Sequence, residues 1–124
     1  MTDDEFVRAF ESCELSPDLF HHRDHIRLAR IYVELDGEKA TERFRRSLRK
    51  FAAHVGHSEK YHETITVAWM RLVVHAVKDR ELEKLELERL MDKKHIEKYY
   101  SPELLATDAA RMGFVEPDRE RLPG

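Results

Sequence analysis

Histidine is the residue type whose number and spacing could do chemistry in this chain. There are eight among 124 residues, and they fall in groups. His21, His22 and His25 form one, and His54, His57 and His62 form another. His75 and His95 stand apart. Two stretches each set an imidazole and a carboxylate at the start of an expected helix: Phe20-His21-His22-Arg23-Asp24-His25 and Lys60-Tyr61-His62-Glu63-Thr64-Ile65-Thr66. An imidazole nitrogen is a metal ligand when neutral and exchanges its proton near neutral pH.

Three chemistries fit these residues. In the first, His22-x-x-His25 sets two imidazoles one helical turn apart and His62 completes a facial set. Such a set would hold Zn, Fe, Mn or Ni and leave an open position for substrate. Glu63 or Asp24 would then be a fourth ligand, an orienting group or the base for a bound water. In the second, no metal is needed. His25 or His62 is the general base, with Glu63 beside it, and an anionic small molecule meets the helix N-termini near Arg23 and Lys60. In the third, the pairs His62–Glu63 and His25–Asp24 form a structural network, since buried polar groups must find partners to be tolerated. The spacing does not choose among them, because there is no His-Glu-x-x-His pair.

The elements that must position these residues read as helices. Charged residues make up 38% of the chain, and glycine and proline number four each. That suits a helix-rich chain and argues against a sandwich or barrel. Thr2 and Glu5 have capping-box spacing ahead of Phe6, Val7 and Phe10, which predicts a first helix to about residue 13. Ser16 before Pro17 predicts a short turn, with Leu19 and Phe20 plugging the core. A second helix runs from about Arg23 to Asp36, where Gly37 supplies the cap. Its expected buried face carries His25, Leu28, Ala29, Tyr32 and Leu35, and its polar face Arg27, Arg30 and Glu34.

A third helix, to about Val55, sets Ala40, Phe44, Leu48, Phe51 and Val55 on one side. Its other side is basic, with Arg43, Arg45, Arg46, Arg49 and Lys50, and reads as a solvated face. The fourth helix, from about Ser58 to Asp79, is apolar around most of its girth, as the central helix of a bundle should be. His62, Thr66, Trp69 and Val73 lie on its buried stripe. Thr64, Arg71 and His75 share a narrow polar face. A fifth helix is expected over about residues 81–93. A sixth starts at Ser101-Pro102 and runs to Met112. The tail is expected to lie on the body through Phe114, Val115 and Leu122.

Short links between helices two and three and between three and four force antiparallel neighbours. Helices two and four are then parallel, and their histidine-bearing starts meet at one end. The expectation is one all-α domain over residues 1–124, an up-down bundle of four main helices with one or two short ones. Net charge is −3, so no basic field calls for nucleic acid. No apolar run approaches ~18 residues, so no membrane span is expected. The acidic N-terminus without an apolar core points to the cytoplasm. Cys13 stands alone and is expected to be a small semi-buried side chain.

The paired Phe20–Ala29 and Lys60–Thr66 stretches, with Tyr100-Ser101-Pro102-Glu103-Leu104-Leu105 and Pro117-Asp118, resemble a family of small bacterial proteins. The resemblance runs from about Phe20 onward and implies no activity. The layout is also loosely similar to helical-bundle metalloproteins with three histidines at one end, such as the DinB-like group. The spacings differ, so no residue role carries over.

Two functions follow. The first is a metal-dependent enzyme of hydrolase or transferase type acting on a small molecule. His22, His25 and His62 would hold the metal, and His62, Glu63 and His25 would serve the reaction. The second is a non-enzymatic module for a small ligand or a protein, with the histidines as a structural network.

Overall fold

A computed structural model describes residues 1–78 and 83–123. Those residues are helical, with no strand among them. They pack as two compact units, Met1–Tyr61 and His62–Gly124.

The first unit contains α1 (Asp3–Glu11), α2 (His22–Asp36) and α3 (Ala40–His54), each packed on the other two. Thr2 caps α1 as its sequence predicts, its hydroxyl accepting from the Glu5 N–H at 3.2 Å. The helix ends two residues earlier than expected. Beyond it Cys13 takes a positive φ of 63° and buries its thiol 4.0 Å from the Lys50 carbonyl. A left-handed backbone at a non-glycine residue costs roughly 1–2 kcal/mol. Here it reverses the chain so that Leu15 enters the core.

Ser16 caps a 3-10 turn over Pro17–Leu19. Leu19 departs from expectation, being 59% exposed. Phe20 instead joins Phe10 and Phe51, with ring centroids 4.7 Å and 5.4 Å away. On α2 the buried residues are Ile26, Leu28, Ala29, Ile31 and Tyr32. Leu35, expected inside, is exposed one residue from the helix end. Gly37 ends α2 at φ 57°, a conformation that favours glycine.

The basic side of α3 is not uniformly solvated. Arg43 bridges Glu11 at 2.8 Å and Asp36 at 3.1 Å, and lies over the Tyr32 ring at 4.5 Å. Arg45 pairs with Glu42, the Lys50 ammonium donates to the Glu11 carbonyl, and Arg49 lies over the Tyr61 ring. Beneath Arg43 the Tyr32 hydroxyl is buried close to Ser47 and Glu11, but with no well-formed hydrogen bond among the described residues. Burial pushes its pKa up to about 12.

The second unit is built on α4 (Glu63–Lys78), which packs against α5 (Glu83–Leu90) and α7 (Asp108–Met112). Thr66, Ala68, Trp69, Met70, Leu72, Val73 and Ala76 are buried along it. The expected end of this helix near Asp79 and the start of helix five near Glu81 lie outside the described residues. A 3-10 segment, Lys93–Lys98, follows α5 and is capped by Asp92.

The expected sixth helix is two short ones, α6 (Pro102–Leu105) and α7. Thr107 divides them by accepting from the Ala110 N–H. The tail lies against this unit as expected. The Tyr100 hydroxyl donates to the Val115 carbonyl at 2.7 Å, Asp118 takes the Ser101 N–H at 2.8 Å, and Leu122 is buried. Among the described residues no helix is long and apolar enough to cross a membrane.

Candidate functional site

The start of α2 is held by its own backbone and by an aromatic cluster. His21 precedes the helix, and its N–H donates to Asp24 Oδ2 at 2.9 Å. Asp24 therefore works as a helix cap, which occupies one oxygen of a carboxylate considered as a metal ligand. His22 opens the helix and is half-buried. One turn on, the His25 ring stacks on Phe20 with centroids 4.0 Å apart. Desolvation lowers the His25 pKa to about 4, with a smaller contribution from nearby His22 and an opposing one from Asp24. The ring is thus neutral at pH 7, and a base this weak takes little part in proton transfer at that pH.

The start of α4 turns on His62. The residue is the cap before the helix, not part of its first turn. The backbone carbonyl of His62 accepts from the Thr66 N–H at 3.0 Å and from the Thr66 hydroxyl at 2.8 Å. The ring Nδ1 accepts from the Ile65 N–H at 3.1 Å. The ring Nε2 lies 2.7 Å from the carbonyl oxygen of Leu105, the last residue of α6. These partners assign the tautomer. A carbonyl can only accept and a backbone N–H can only donate, so Nε2 carries the proton and Nδ1 is bare. Both nitrogens are occupied by the fold, and the ring's one in-plane lone pair, on Nδ1, is taken by the Ile65 N–H. Glu63 follows, buried at 7% exposure in the first turn, where the helix dipole favours a carboxylate.

Thr64 was expected on the polar face of α4, but it is fully buried. Its hydroxyl donates to the Gly113 carbonyl at 2.9 Å and accepts from the Val115 N–H at 3.1 Å. Arg71, on the same face, lies over the Phe114 ring at 4.4 Å. The tail meets this face at Thr64 and Arg71, so the Thr64 hydroxyl serves tail backbone groups instead of water. Sequence reasoning placed the tail and Thr64 separately and did not join them. The Leu105 carbonyl was missed altogether, because a backbone acceptor leaves no mark in side-chain spacing.

The sequence-expected residues are thus divided between the units: His22, Asp24 and His25 in the first, His62 and Glu63 in the second. Among the described residues no group of three or more His, Cys, Asp or Glu side chains could hold a metal ion. His54, His57 and His75 are exposed, and His57 lies 3.4 Å from Glu59. His95 sets its ring edge-on to Tyr99. No family model, curated protein or solved structure matches this chain.

Proposed function

We propose that this chain is a non-enzymatic module for a small ligand or a protein, in which the histidines at the starts of α2 and α4 are structural. The observation that carries the reading is His62, whose two ring nitrogens serve the Ile65 N–H and the Leu105 carbonyl. His25 supports it, with its ring stacked on Phe20 and kept neutral by burial. We further propose that the helices run up and down as a four-helix bundle in a cytoplasmic protein. The three-residue turn between α2 and α3, which pack on each other, supports the first point. The free thiol of Cys13 is consistent with the second.

The test is metal analysis of protein purified without a tag, with and without chelator, alongside a His62→Ala variant. The structural reading expects no stoichiometric metal and a variant that is less stable. Stoichiometric metal that is lost from a folded His62→Ala protein would overturn it.

A metal-dependent enzyme is the second reading, favoured by one observation. His25 is neutral at pH 7, so no proton competes for its lone pair, and His22 is close enough to affect its charge. In that reading His22 and His25, one turn apart on α2, supply ligands to Zn, Fe, Mn or Ni. Its distinguishing result is metal bound to wild type and lost on chelation together with activity.

A further inference from the structure

Residues 114–122 form no helix or strand, yet they are fixed to the second unit at several points. Among the described residues their backbone meets backbone elsewhere where the Arg119 N–H donates to the Tyr99 carbonyl at 2.9 Å. The other ties run through side chains. Val115 is gripped from both sides: the Thr64 hydroxyl accepts its N–H at 3.1 Å, and the Tyr100 hydroxyl donates to its carbonyl at 2.7 Å. Three residues on, Asp118 holds Ser101, its two oxygens accepting the Ser101 N–H at 2.8 Å and the Ser101 hydroxyl at 2.5 Å. The Arg119 guanidinium donates to the Glu97 carbonyl at 2.8 Å, and Glu120 faces Lys98 at 3.7 Å.

The two holds differ in exposure. Thr64 and Tyr100 are fully buried, whereas Asp118, Arg119 and Glu120 are exposed. Exposed bonds of this kind compete with water and salt, so they open at small cost. The apolar anchors are few: Phe114, whose ring lies under Arg71, and the buried Leu122. A segment with little backbone pairing and few buried apolar contacts lies at the low-stability end of a fold and can open while the rest stays closed.

We propose that residues 114–122 are a releasable strap, with the Asp118–Ser101 pair as its clasp. The strap leaves as one unit while α4 stays folded. Val115 and Asp118 are only three residues apart, so the loss of one hold is felt at the other. Release frees the Thr64 and Tyr100 hydroxyls and the Arg71 guanidinium from their tail partners, so the clasp governs whether this polar surface is covered. The strap belongs to the second unit alone. It holds under either reading of the histidines, since neither reading uses any of these groups.

The experiment is native-state amide exchange by NMR on the full chain at one pH, wild type against Asp118→Ala. The Val115 and Arg119 amides report the two holds, and the amide of Val73, buried in α4, reports the core. In wild type, Val115 and Arg119 should exchange through one shared opening and be less protected than Val73. In the variant both should lose protection together, by about tenfold, the scale of one hydrogen bond to a charged group, with Val73 level. Protection lost at only one of the two, at neither, or at Val73 in step with them overturns the strap. If the variant folds poorly, wild type in low urea decides. Val115 and Arg119 should then share one denaturant slope, shallower than that of Val73. Slopes that differ between the two, or that match Val73, overturn it as well.

Discussion

Thr64→Val tests how the C-terminal tail is held to α4. The substitution nearly conserves volume and shape, so it opens no cavity and leaves the helix its β-branched residue. What it removes is one hydroxyl that serves two backbone groups, the Gly113 carbonyl at 2.9 Å and the Val115 N–H at 3.1 Å. Thr64 is fully buried, so water cannot replace the hydroxyl at its own position. Leaving a buried polar group unpaired costs about 1–3 kcal/mol. Gly113 and Val115 are half-buried, so the lower part of that range applies to each, and the sum is about 2–3 kcal/mol.

That is a large share of the roughly 5–15 kcal/mol that holds a domain folded. With a urea slope of about 1–2 kcal/mol/M for a chain of this size, the midpoint should fall by about 1–3 M. Thr64→Ser is the control. It keeps the hydroxyl and loses a methyl group worth about 1 kcal/mol, so it should be the milder change. A Thr64→Val protein within about 0.5 kcal/mol of wild type, the usual range for a neutral surface substitution, would refute the reasoning. So would a serine variant less stable than the valine variant.

Two further predictions concern the first unit. His25 has a pKa of about 4 because of burial, against an unfolded value near ~6.5. Its contribution is fully present above about pH 6.5 and is lost as pH falls toward 4, about 3 kcal/mol in all. His25→Leu should flatten that part of the stability profile in urea titrations at a series of pH values, and an unchanged slope would count against it. Tyr32→Phe removes a buried hydroxyl that lies near Ser47 and Glu11 without a well-formed hydrogen bond among the described residues. It should leave the urea midpoint unchanged or raise stability by up to about 1 kcal/mol; a loss of more than that would show that the hydroxyl is paired.

Helix identity was the most legible part of the chain, because it rests on local signals. Thr2 with Glu5, Gly37 after Asp36, and Ser101 before Pro102 mark ends through backbone groups within a few residues, and each end lies where its signal predicts. Cys13 was not legible as a chain reversal, since nothing in a cysteine announces a positive φ. Leu35 was assigned inward by periodicity alone, yet periodicity says nothing of whether a neighbour reaches the helix end.

Arg43 reads as one more cation on a basic stripe until Glu11 and Asp36, from other parts of the chain, are found beside it. At the site, the sequence drew attention to residues whose partners it did not show. Asp24 was read as a possible ligand and caps His21. His62 was read as half of a histidine pair, and its observed partners are two backbone groups. Side-chain spacing can reveal an unusual residue, but it cannot reveal a carbonyl 43 positions away.

The central claim is that His62 is a neutral structural bridge with both nitrogens occupied. A long-range nitrogen–proton correlation spectrum of the untagged protein at neutral pH, recorded before and after one equivalent of zinc, tests it most directly. The account predicts a proton on Nε2, a bare Nδ1 coupled to the Ile65 amide, and no change on adding zinc. A ring protonated on Nδ1, or one whose signals move to a metal-bound position with stoichiometric zinc, would contradict it.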